Sequence, residues 1–121
     1  MNKDLKLIII TGIYYPAAVL SLWIFWKESM MLTLILFILA IIELIAAKSR
    51  KLMILFLLGC VVGPVVESVA IWRGSWSYSL PEIYNIPLWL IPAWGNVTIF
   101  VVTFYKFLGR FSWLEKKADS E

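Results

Sequence analysis

The run LMILFLLGCVVGPVVESVAIW, from Leu52 to Trp72, decides how this chain is read. At about 1.5 Å per residue a helix of this length crosses a hydrocarbon core about 30 Å thick. One ionisable side chain, Glu67, interrupts it. A carboxyl in such a segment is costly and marks either a site or an interhelical contact. Gly59 and Gly63 form a Gly-x-x-x-Gly pair, and Glu67 stands at the next four-residue step, so all three share one helical face. Glycines at that spacing let a second helix approach closely, which predicts that the Glu67 face packs on protein and not on lipid. Pro64 removes one intrahelical hydrogen bond and predicts a kink just before the acid.

Outward from this run, Leu7 to Trp26, Met30 to Ala47 and Ile86 to Leu108 are apolar over comparable lengths, and 62% of the residues are hydrophobic. The expected fold is therefore an all-α, antiparallel, integral membrane four-helix bundle. A single transmembrane domain fills residues 1–121, with an outer loop over 73–85 and a tail over 109–121. Tight turns at Lys27 to Ser29 and Lys48 to Lys51 predict that the first three spans form consecutive hairpins. Lys3, Lys6, Lys48, Arg50, Lys51, Lys106, Arg110, Lys116 and Lys117 then fall on one side and only Lys27 and Arg73 on the other. Basic residues concentrate on the cytoplasmic face, so both termini are expected in the cytoplasm and the protein in the cell membrane. A secretory signal is the competing reading of the first run, but its apolar core is too long and no small-x-small cleavage site precedes Lys27.

The chain has no histidine and one cysteine, Cys60, within the third run. Those counts argue against haem, zinc and copper sites and against a disulfide framework, and neither a metal nor a cofactor is expected. The net charge of +3 is accounted for by topology, so no nucleic-acid partner is inferred.

The first span carries Gly12, Tyr14, Tyr15 and Pro16, which predict a bend. The second is almost uniformly Leu, Ile, Met and Phe, as a peripheral helix is; its Glu43 is expected to snorkel to the inner surface or pair with Lys48 and Lys51. Trp72, Trp76, Tyr78 and Tyr84 suit a membrane interface. Pro87, Pro92, Gly95 and Asn96 predict an irregular outer half for the fourth span, with Trp89, Ala93, Asn96 and Thr103 facing inward.

Depth ties these residues together. Glu67 lies about 7 to 8 Å below Trp72 and Asn96 about 15 Å below Ile86. Side chains lean toward their helix N-terminus, so the two polar groups are expected to converge, with Ser68, Tyr15 or Tyr78 as further partners. Glu67 is the candidate catalytic residue, as a proton donor. Trp76, Tyr78, Trp89, Trp94 and Asn96 are the candidate ligand-binding residues, and Gly59 and Gly63 the packing residues. The alternative is that Glu67 and Asn96 bond one another only as interhelical glue.

The buried acid followed by Gly74-x-Trp76-x-Tyr78 and Pro87-Leu88-x-x-x-Pro92-x-Trp94 resembles parts of the membrane-embedded carotenoid enzymes, the small lycopene cyclases and bacterioruberin-pathway hydratases. It is similar also to an uncharacterised family of small four-helix bacterial membrane proteins. The resemblance covers about a quarter of the chain. It implies that Glu67 is the buried acid and that Trp76 and Tyr78 line a pocket for a polyene or isoprenoid chain. Where the cyclases carry acidic residues after the matching proline, this chain has Leu88, Trp89 and Leu90.

Two functional classes follow. One is an outer-leaflet pocket for a lipid or isoprenoid, with or without acid-base chemistry at Glu67. The other is a non-catalytic accessory subunit of a membrane complex, forming homo- or hetero-oligomers through the Gly59/Gly63 face. A proton or ion path is disfavoured, because the second span offers few polar groups.

Overall fold

A computed structural model describes residues 2–110 and contains four helices. These are α1 (Lys3–Phe25), α2 (Ser29–Ala47), α3 (Arg50–Trp72) and α4 (Leu90–Gly109). All four are long and apolar enough to cross a membrane. Their outward faces agree with that, since Ile13, Trp23, Leu34, Ile45, Val61 and Val66 are exposed, far more apolar surface than water tolerates. Of the expected tail, residues 111–121 lie outside the described residues.

Each helix end has a local cause. Asn2 caps α1 through Oδ1, which accepts from the backbone N–H of Asp4 at 2.7 Å and of Leu5 at 3.3 Å. Ser49 does the same for α3 at Leu52, 3.1 Å. Gly74, at φ +93°, ends α3: its N–H donates to the Ile71 carbonyl at 2.9 Å, and that of Ser75 to Ala70 at 3.0 Å. Those two bonds make a Schellman motif, whose left-handed position glycine occupies without steric cost. α1 and α3 run on through Pro16 and Pro64.

The fourth helix departs from expectation. It opens at Leu90, not Ile86, and is continuous to Gly109, so its N-terminal half is regular. Pro92 sits in the first turn, where its missing N–H would have had no intrahelical acceptor, and it therefore breaks nothing. The irregular backbone lies before the helix. There Ile83 and Ile86 exchange backbone hydrogen bonds at 3.0 Å around a turn that holds Tyr84 at φ +56°.

Helix α4 touches all three others and packs most extensively on α3. α1 packs on α2 as expected for a hairpin, but α2 and α3, although joined by a tight turn, barely meet. Glycine explains the preference of α3 for α4. A Cβ on Gly63 would collide with the Trp94 ring, one on Gly59 with Thr98, and one on Gly95 with Phe56 and the Cys60 sulfur. The Gly-x-x-x-Gly face is thus occupied by α4 of the same chain, so the close approach that its spacing announced is intramolecular. At the other end of the molecule, Lys106 Nζ pairs with Asp4 Oδ1 at 3.1 Å and joins the end of α4 to the start of α1.

Candidate functional site

Glu67 is half-buried on α3, and both its carboxylate oxygens are engaged. The Tyr78 hydroxyl donates to Oε1 at 2.5 Å, and the Trp94 indole Nε1–H donates to Oε2. One acid therefore joins α3, the connection from α3 to α4, and α4. Burial, and after it the Glu67 carboxylate, raises the Tyr78 hydroxyl above the ordinary phenol range, which keeps it a donor. The ring of Tyr78 in turn meets Trp89 edge to face, with centroids 5.9 Å apart at 90°.

Two further contacts pin the same connection. Asn85 accepts from the Ser68 hydroxyl at 2.7 Å and donates to the Ser68 carbonyl at 2.9 Å. Glu82 accepts from the Ser29 hydroxyl and from the Leu88 N–H at 3.1 Å, which places its carboxylate at the first residue of α2. A negative charge there complements the helix dipole. The same connection walls a cavity of about 150 Å³ lined by Trp26, Tyr78, Leu80, Pro87, Trp89 and the two serines Ser77 and Ser79.

The candidate residues divide. Tyr78 and Trp89 line this cavity, whereas Trp94 does not; it fills the space over Gly63 while holding Glu67. Trp76 is 47% exposed and does not line the cavity. Asn96 is elsewhere. Its Nδ2 donates to the Leu36 carbonyl at 3.0 Å and the Pro92 carbonyl at 2.9 Å, so it binds α2 and not Glu67. The expected convergence of Glu67 and Asn96 is corrected accordingly: they occupy opposite faces of the α4 packing, because Trp94 and Asn96 are two residues apart and point about 200° apart around a helix. Ser68 is taken by Asn85, and Tyr15 stacks on Phe100 at 4.2 Å.

Glu43 is the residue that sequence reasoning misplaced. It is 1% exposed, with the Thr11 hydroxyl beside its carboxyl and Oε2 without a partner. It does not snorkel to the surface. Thr11 and Thr103 face one another at 3.3 Å between their Oγ1 atoms, so α1, α2 and α4 each bring one polar side chain to this buried group. The signal was present as spacing: Leu32, Leu36, Ala40, Glu43 and Ala47 fall on one stripe of α2 and are all buried. Among the described residues, no three His, Cys, Asp or Glu side chains gather as a metal-binding group. The chain matches no family model, no curated protein and no solved structure.

Proposed function

We propose that this chain is a multi-pass membrane protein, an antiparallel bundle with both termini in the cytoplasm, that holds a lipid or isoprenoid in its outer leaflet under the Tyr78 and Trp89 rings. The observation that carries this reading is the cavity of about 150 Å³ whose wall, Tyr78, is fixed in place by Glu67. Its aromatic and proline lining suits an apolar chain, while Ser77 and Ser79 suit a polar end near the interface. In this reading Glu67 is a positioning residue. Both carboxyl oxygens are engaged by donors, Tyr78 and Trp94, an arrangement that holds those two rings in place, so binding is favoured over acid-base chemistry. The resemblance to carotenoid enzymes supports the isoprenoid class of ligand and nothing about turnover.

Purification in mild detergent followed by mass spectrometry of retained lipids tests it. A lipid or isoprenoid held stoichiometrically by the wild type and lost from Trp89→Ala is the expected result. A lipid-free species that carries a stoichiometric partner protein would overturn it in favour of the accessory-subunit reading. Labelling of single cysteines placed at Ser79 and Ser49 from either side of the membrane checks the orientation: Ser79 should react from outside and Ser49 from inside.

A further inference from the structure

A second opening lies on the other side of α4, away from Glu67. Tyr15, Ala18, Val19 and Leu22 of α1, Leu36 of α2 and Ala93, Asn96 and Val97 of α4 line a cleft of about 70 Å³. Its walls are almost entirely apolar. Asn96, 3% exposed, supplies the one polar side chain apart from the Tyr15 hydroxyl.

The Asn96 amide has only one possible orientation. Two carbonyls, those of Leu36 and Pro92, receive its Nδ2 hydrogens. A flipped amide would turn its oxygen toward both carbonyl oxygens, so Oδ1 must be the atom left over. That oxygen has no hydrogen-bond partner and is buried. A buried, unpaired acceptor costs free energy until a donor reaches it. No donor is needed to hold the helices together here, because Nδ2 already joins α4 to α2.

The ligand chemistry follows from position and size. Asn96 lies about 9 Å along α4 from Leu90, below the interface, where a charged headgroup is costly. A space of about 70 Å³ admits a slender chain end but not a glycerol backbone with two acyl esters. We infer that this cleft between α1 and α4 binds a neutral, single-chain lipid that ends in a hydroxyl, with the hydroxyl donating to Asn96 Oδ1 and the chain running past Val19 toward the bilayer. Oδ1 is covered, so the hydroxyl reaches it as the cleft widens, and the gain of a partner for the orphan oxygen favours the widened form. This site is separate from the cavity at Tyr78 and does not depend on it.

The test is binding of tritiated farnesol to the purified full chain in detergent micelles, in competition with unlabelled farnesol or its methyl ether, which keeps the chain but cannot donate. Farnesol should compete roughly tenfold better than the ether. Asn96→Leu should abolish that preference. Val19→Trp, at an exposed lipid-side position, should block the mouth and weaken farnesol by at least about tenfold without touching Asn96. Equal competition by the ether, unchanged binding in Val19→Trp, or no farnesol binding to the wild type, as when water alone fills the cleft, would each overturn the inference. If Asn96→Leu fails to fold, the ether and Val19→Trp still decide.

Discussion

Trp94 packs over Gly63 and donates its indole N–H to Glu67 one helical turn further along α3. One residue thus reads both features of the face that the third apolar run displays, the glycine and the acid. The indole fills the space that the missing Cβ leaves, and its nitrogen satisfies an oxygen that would otherwise lie against apolar walls.

Gly63→Ala should therefore be costly, although alanine is the better helix former. The added methyl meets the Trp94 ring, and overpacking of this kind costs about 1 to 3 kcal/mol. Gly12→Ala, where nothing stands within 4 Å of the new Cβ, should stabilise by up to about 1 kcal/mol. Thermal unfolding of both variants in the same detergent separates the two effects.

Replacing Glu67 by Gln keeps the shape but turns one amide N–H₂ toward a donor, either Tyr78 or Trp94. A loss of about 1 to 3 kcal/mol is expected. A double-mutant cycle with Trp94→Phe should show coupling of at least about 0.5 kcal/mol, as for groups in contact. Additive effects would mean that the clamp does not hold the two helices.

The raised Tyr78 hydroxyl predicts an alkaline limit. The folded state favours the neutral phenol, so its contribution is complete below the ordinary phenol range near about 10 and is lost as pH rises toward the folded-state value. The thermal midpoint should fall above about pH 10 in the wild type, and this part of the fall should be missing in Tyr78→Phe.

Glu43→Met should be tolerated or stabilising. The substitution removes the oxygen that has no partner and fills a similar volume with apolar atoms. Glu43→Lys should prevent folding, since it buries a cation beside hydroxyls only. Yields of monodisperse protein and thermal midpoints distinguish the two; a strongly destabilised Met variant would mean that the carboxyl has a partner essential to the fold.

Tyr84 is 77% exposed and sits at φ +56°, where a bulky residue is strained. Tyr84→Gly should raise stability by up to about 1 kcal/mol, read again as a thermal midpoint, because the exposed ring contributes little packing to lose.

The unequal legibility of the site has physical causes. Glu67 is visible because it breaks an apolar run at glycine spacing, and Tyr78 because it lies in the aromatic connection that follows that run. Trp94 suits a ligand site by sequence, but its bond to the acid depends on the helical phase of α4 against α3. That phase is determined by which groove the indole enters. Asn96 lies two residues away and so faces α2 and the α1 cleft. Glu43 stands near a basic turn, which by sequence places it at the surface, yet a stripe containing Ala40 and Ala47 draws it inward.

By itself the sequence determined four helices long and apolar enough to span a membrane and the face of α3 that would be approached closely. Run length and glycine spacing are local properties, and they constrain a helix whatever its neighbours are. Only the tertiary structure decided that α4, and not a second protein, occupies that face, that α2 and α3 scarcely touch, and that two acids expected at a pocket and a surface are a clamp and a core residue. These outcomes depend on which apolar surfaces pair, and surfaces that are equally greasy carry no mark of their partner until side-chain shape and the few available hydrogen bonds select one.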